Sequence, residues 1–322
     1  MKKIGGFFEL ELTSGDSIYH NDAISLSTGR ACLNYILQSK KPTKVYVPYY
    51  CCDALIEPLS LNEIDYEFYS INDNLELTRI PELQSGECII YCDFFGIKSN
   101  YTLSLIEIFQ EKLIVDNTHS FFSRKSTFPA SSFTSARKYF GVPDGAFLYI
   151  REIERLNISI PRNQKISIDH NVHSLVGLQD QAYLEYVQYE SKLGSEIEEI
   201  SILSERLLSK VNFDEVRKIR NDNFEFLRKE LGDLNELIID KNKVDCFCYP
   251  LLLKKPIDKQ KLYNEKIFIP SLWMDTVHRD EYLNFHLECK LSREILPLPI
   301  DHRYTTKELQ RVSNVIKKLI HG

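Results

Sequence analysis

From about residue 21 onward, segments of helical period alternate with short apolar runs, the pattern of an α/β domain built on a largely parallel sheet. Residues 30–39 put Ala31, Leu33, Ile36 and Leu37 on one side and predict a helix. Lys44-Val45-Tyr46-Val47-Pro48 predicts a short strand that ends at its proline. Residues 64–69, 88–91 and 113–115 continue the series, and residues 146–150 add a strand after the turn Pro143-Asp144-Gly145. Residues 179–208 hold helical periodicity and predict a long helix with a solvated charged face, a spine between two domains. After about residue 212 the pattern resets to a helix, strands at 246–253 and 267–270, and a last helix over 305–320. Thr305 and Glu308 form a capping box for that last helix. With no repeat and no low-complexity linker, this predicts a large domain over residues 1–211 and a smaller C-terminal α/β domain over residues 212–322, closely packed together.

A chain of 322 residues can bury a large core. Its formal charge of -6 argues against a nucleic-acid partner, which calls for a basic face. No run approaches the roughly 18 to 20 apolar residues that cross a bilayer. Met1-Lys2-Lys3-Ile4-Gly5-Gly6 carries charge without an apolar signal core, so export is not expected. The eight cysteines fit no dense disulfide framework and are expected to be reduced thiols of a cytoplasmic protein. Cys51-Cys52, Cys88/Cys92 and Cys246/Cys248 lack the paired spacing of a zinc site, so no metal is expected, and the last two pairs sit in apolar runs as small core residues.

Two residues carry the most chemistry. Asp116 closes the apolar run Leu113-Ile114-Val115, and Lys138 follows in the Ser-rich segment Ser131-Ser132-Phe133-Thr134-Ser135-Ala136-Arg137-Lys138. A carboxylate that leaves a buried strand, followed by such a lysine, is what pyridoxal 5'-phosphate chemistry requires: the lysine holds the aldehyde and the carboxylate keeps the pyridine nitrogen protonated. Arg137 competes for the cationic position, but a guanidinium cannot make the covalent bond. Taken alone, Asp116 is more commonly a helix cap and Lys138 an exposed lysine. His119 would lie against the ring or bond its phenolic oxygen, or would be an ordinary satisfied histidine. Ser25-Leu26-Ser27-Thr28-Gly29-Arg30-Ala31 precedes a helix, so its hydroxyls and N–H groups gather where a phosphate binds, or simply cap that helix. Ser132 and Ser135 offer further phosphate hydroxyls.

The ordered series Ser27-Thr28-Gly29-Arg30-Ala31, Asp116-x-x-His119, Ser135-Ala136-Arg137-Lys138 and Asp144-Gly145-Ala146 resembles the DegT/DnrJ/StrS-type sugar aminotransferases, pyridoxal phosphate enzymes of fold type I. The likeness extends from the opening Gly5-Gly6-Phe7-Phe8-Glu9-Leu10 to the closing Leu296-Pro297-Leu298-Pro299. It implies a mostly parallel sheet with helices on both faces, Lys138 as the cofactor-bonding lysine and Asp116 as partner of the ring nitrogen. His119 would stand where the family commonly has glutamine, and Thr28, Gly29, Arg30 and Ser135 would lie around the phosphate. The segment Tyr49-Tyr50-Cys51-Cys52 would supply the ring-stacking side chain, Tyr50 being favoured over Cys52 because an aromatic face packs on a pyridine. Asn171 and Asn163 are the candidates for the asparagine that reaches a neighbouring subunit. The resemblance further implies a homodimer that moves an amino group from an amino acid, glutamate being expected, to a nucleotide-linked keto sugar in glycan biosynthesis. The alternatives are a sugar dehydratase-like protein, in which histidine replaces the lysine, or a non-catalytic scaffold or regulator of a polysaccharide pathway.

Overall fold

A computed structural model joins the strands expected at residues 44–48, 64–69, 88–91, 113–115 and 146–150 with two further short strands, Ile24–Leu26 and Ser131–Ser135, into one seven-stranded sheet. It describes Phe8, residues 10–13, Gly15, and residues 18–123, 128–239 and 245–321. Most of the opening likeness at residues 5–10 lies outside the described residues.

In chain order the first half contains β1 (Ile24–Leu26), α1 (Gly29–Lys40), β2 (Lys44–Pro48), α2 (Ile56–Leu61), β3 (Asp65–Tyr69), β4 (Glu87–Cys92), α3 (Ser99–Phe109), β5 (Leu113–Asp116), β6 (Ser131–Ser135) and β7 (Ala146–Tyr149). The sheet order is β1-β7-β6-β5-β4-β2-β3. Strand β7 pairs antiparallel with both β6 and β1, whereas the remaining pairs are parallel, so β7 alone runs against the others. Strands β2, β4 and β5 are near-continuous apolar runs because a parallel sheet is covered on both faces: Val45, Val47, Ile89, Ile90, Leu113, Ile114 and Val115 are fully buried. Helix α1 packs on this sheet, and all of its residues from Ala31 to Leu37 are buried, so it is covered on more than the one side its spacing predicts.

The second half holds α4 (Asp169–Leu175), α5 (Gln179–Glu190), α6 (Ile202–Leu208), α7 (Phe213–Leu231), β8 (Tyr249–Leu251), α8 (Lys259–Asn264), α9 (His286–Glu294), β9 (Leu296–Leu298) and α10 (Thr306–His321). Strands β8 and β9 form a two-stranded antiparallel sheet. One apolar core runs from Leu26 through Val115 and Phe224 to Ile316, so this part packs directly on the first. At the start of α10 the Thr305 amide donates to Glu308 Oε2 at 2.9 Å, as a capping box requires, while Thr305 Oγ1 accepts from the amide of Lys307 at 3.3 Å rather than from that of Glu308.

Three expected elements differ. The helix over 179–208 is broken into α5 and α6, because residues 198–200 are drawn out along β1: Ser27 N donates to Glu198 O at 2.8 Å, and Ile200 N to Ser25 O at 3.3 Å. Ser201 then restarts a helix by accepting from the Ser204 amide. The strand over 246–253 is reduced to β8, since only those residues find a partner in β9. Residues 267–270 form no strand; Ile267 and Ile269 are buried among side chains rather than paired by backbone. Among the described residues no helix is long and apolar enough to cross a membrane.

Candidate active site

Asp116, Lys138, the helix start at Gly29 and the loop after Pro48 all emerge at the carboxyl ends of β5, β6, β1 and β2, the edge where open α/β sheets bind ligands. The register is lateral: Cys92 pairs with Asp116, and Asp116 with Phe133. Gly29 packs beside this row. A Cβ there would lie 3.5 Å from the Phe133 ring and 3.6 Å from the Thr118 methyl, so α1 begins against β6 and the turn that follows β5.

Asp116 is partly buried, with Oδ1 accepting from the Thr118 amide at 2.8 Å and Oδ2 facing the Cys92 thiol at 3.9 Å. Burial raises its carboxyl above the usual carboxylate range, while the Thr118 hydrogen bonds and the Lys138 charge pull the other way. Lys138 follows β6 in a short 3₁₀ turn, is exposed, and carries its Nζ 6.0 Å from the Phe247 ring centre. Among the described residues it enters no ion pair. Its neighbour Arg137 is instead paired with Glu190 and lies over Tyr189.

His119 is 4% exposed and held between Phe247 (ring centres 4.4 Å apart, 15° between planes) and Trp273 (5.1 Å, 34°). Burial, and then the Lys138 cation, hold its imidazole well below the ordinary histidine range. Its Nδ1 is buried without a partner, a cost that a ligand oxygen would remove. Arg220, from α7, fixes Phe247 by donating to the Cys246 and Phe247 carbonyls at 3.1 and 2.6 Å while covering the Tyr139 ring beside Lys138.

At the start of α1, Thr28 Oγ1 accepts from the Ala31 amide at 3.0 Å and donates to Gly194 O at 3.1 Å, and Thr28 O takes the Cys32 amide. The amides of Gly29 and Arg30 are left with no acceptor inside the helix. The Arg30 side chain turns to Glu57 at 2.9 Å, so only its backbone serves the helix start. Strand alternation puts Ser135 on the face of Phe133 and hence of α1, while Ser132, its hydroxyl buried and unpartnered, lies on the other.

The loop after β2 differs most from expectation. Tyr50 is 1% exposed and packed on Phe94 and Trp273, inside the core. The side chain directed to the site is Cys52, the one cysteine of eight that is not buried. Burial raises its thiol, against the pull of Lys138, and Asp116 adds to the rise. Asn163 is consumed within its own chain, donating to Asp144 Oδ2 at 3.0 Å. Asn171 lies against Gly141, a few residues beyond Lys138, and keeps a buried, unpartnered Oδ1. Sequence reading did not single out Phe247, Trp273 or Arg220; they come from distant segments and carry no local motif. Among the described residues no group of three or more His, Cys, Asp and Glu side chains is arranged to hold a metal.

A lysine that enters no ion pair among the described residues, a partly buried carboxylate under its charge, a buried imidazole nitrogen and the amides of a helix start fit a small anionic ring compound with a carbonyl and a basic ring nitrogen.

No family model and no curated protein matches this chain. Solved structures do. The sugar aminotransferase CalS13 from Micromonospora echinospora superposes with a TM-score of 0.65 at 12% identity, over 94% of this chain and 88% of that one. A DegT DnrJ EryC1 StrS aminotransferase from Brucella abortus gives 0.62 at 15% identity, over 92% and 85%. The aminotransferase TlmJ from Streptoalloteichus hindustanus gives 0.64 at 12% identity, over 93% and 86%. At these identities the chain shares their fold, the mostly parallel sheet of the fold type I aminotransferases.

Proposed function

We propose that this protein is a pyridoxal phosphate-dependent aminotransferase that moves an amino group from an amino acid, glutamate by preference, to a nucleotide-linked keto sugar. The observation that carries the reading is the conjunction of Lys138, Asp116 and His119 at the carboxyl edge of the sheet, where the charge of Lys138 bears on both of the others. Sugar aminotransferases share this fold across nearly the whole chain, and the pathway that fits is glycan biosynthesis in the cytoplasm.

Pyridoxal phosphate, when bound, supplies an aldehyde for amines to join and a ring that takes up electron density. In this chain Lys138 would hold the aldehyde and Asp116 would keep a proton on the ring nitrogen. The amides of Gly29 and Arg30 and the hydroxyl of Ser135 would receive the phosphate at the positive end of α1. Thr28 supports them by capping the helix, and His119 Nδ1 would meet the phenolic oxygen. Once free of the aldehyde, Lys138 Nζ would take a proton from the amino-donor carbon and return it to the cofactor carbon. Phe247 and Trp273, pressed on His119, exclude water from that side. Retention of lysine rather than histidine at position 138 favours transamination over sugar dehydration.

Residues 1–211 are proposed as the cofactor-binding domain and 212–322 as the smaller domain. A homodimer is proposed because α4 and α5 expose Val172, Leu175, Val176, Tyr183, Leu184 and Val187 together, a patch of the kind that marks interfaces. Light scattering tests the dimer. Mass spectrometry of products formed from glutamate and a panel of nucleotide keto sugars tests the reaction; a protein that only binds the cofactor yields no amino sugar.

A further inference from the structure

Cys52 stands at the site because residues 49–53 are held from a distant part of the chain. Arg279, between α8 and α9, donates from one terminal nitrogen to Tyr49 O at 2.7 Å and from the other to Cys51 O at 2.9 Å. The same guanidinium meets Asp53 Oδ1 at 2.6 and 3.0 Å. Its side chain is 10% exposed and lies between the rings of Tyr49 (5.3 Å) and Phe68 (5.0 Å). The same segment adds three contacts. The Asp53 amide donates to Asp275 Oδ2 at 3.2 Å, Tyr49 Oη donates to Thr276 O at 2.9 Å, and the Tyr49 ring stacks on Phe285 at 3.9 Å.

A rigid fork that binds two alternate carbonyls fixes the peptide planes between them, and therefore the direction of the side chain that follows. An ammonium group has one nitrogen and cannot span both carbonyls and the carboxylate. We propose that Arg279 is a positioning residue: it locks residues 49–53 so that Cys52 forms one wall of the site and Cys51 stays turned into the core. This rests on the reading that the site takes a pyridoxal phosphate ring, which Cys52 would then face.

The test uses thiol labelling of the protein without added cofactor, read by peptide mass spectrometry, together with a titration of pyridoxal phosphate. In the wild type iodoacetamide labels Cys52 first, and Cys51 stays protected. In Arg279→Lys, Cys51 is labelled about tenfold faster and the half-saturating cofactor concentration rises about tenfold, with far-UV circular dichroism unchanged. Asp53→Asn, at a 63% exposed side chain, keeps the carbonyl bonds and gives smaller changes in the same direction. It decides the matter alone if Arg279→Lys does not fold. Wild-type protection of Cys51 in a folded variant overturns the proposal. If the wild type binds no cofactor, the functional reading fails while Cys51 labelling still decides the role of Arg279.

Discussion

Cys92 stands directly across the β4–β5 ladder from Asp116, and its sulfur lies 3.9 Å from Asp116 Oδ2. The carboxylate of the site thus has a weak thiol donor beside one oxygen rather than a cation. Burial is left under-compensated, and the carboxyl is raised above its ordinary value of 3.8. Such a group serves a cationic ring nitrogen better than it serves the empty fold.

Asp116→Asn keeps an oxygen for the Thr118 amide and removes the buried charge. A carboxyl whose folded pKa is raised binds more protons folded than unfolded, so its contribution falls as pH rises from 3.8 through the folded value and is lost above it. The variant should therefore melt roughly 1–4 °C higher than wild type at pH 7 without cofactor, and the gap should shrink toward pH 4. Its transamination should fall by about 100-fold or more. Thermal melts at the two pH values check the first statement, and product formation from glutamate and a keto sugar the second.

His119 is the opposite case. Its imidazole, held well below 6.5, resists protonation in the fold, so stability declines as pH drops below the unfolded value near 6.5. His119→Gln should cost stability at all pH values through the lost contact with Phe247 and Trp273, yet lose less between pH 7.5 and 5.5 than wild type. Urea unfolding at both pH values measures this; equal losses would refute it.

Asp144 anchors the turn after Lys138. Its carboxylate accepts from Ser201 N at 2.8 Å, Ser201 Oγ at 2.6 Å and Asn163 Nδ2 at 3.0 Å, with Ser204 Oγ as a further donor. Asp144→Ala leaves these buried donors unsatisfied and should cost about 3 kcal/mol or more in urea unfolding.

Gly145, next in the chain, has φ +126°, and a Cβ there would come within 2.9 Å of Ile200 Cδ1. Gly145→Ala should cost about 1–3 kcal/mol and lower the melting temperature, with Asp144 still in place.

Much of this site was legible because its pieces are local. Strands β2, β4, β5 and β7 announce themselves by apolar runs, and Asp116 and Gly29 sit where a strand ends or a helix begins. What was not legible depends on distant contacts. Tyr50 is the better ring by chemistry, but the carbonyls of Tyr49 and Cys51 are bound to Arg279, more than two hundred residues away, and this turns Tyr50 inward and Cys52 outward. Arg30 has the charge for a phosphate, yet Glu57 on α2 takes its side chain. The helical period of 179–208 is real at both ends, and the pairing of its middle with β1 overrides it.

If one amine, that of Lys138, bonds the cofactor, absorbance will show it. Wild-type protein incubated with pyridoxal phosphate and freed of excess should keep a visible band that borohydride fixes to the peptide containing Lys138, and Lys138→Ala should lose both band and label. Retention of the band by Lys138→Ala, or a label on another lysine, would contradict the account.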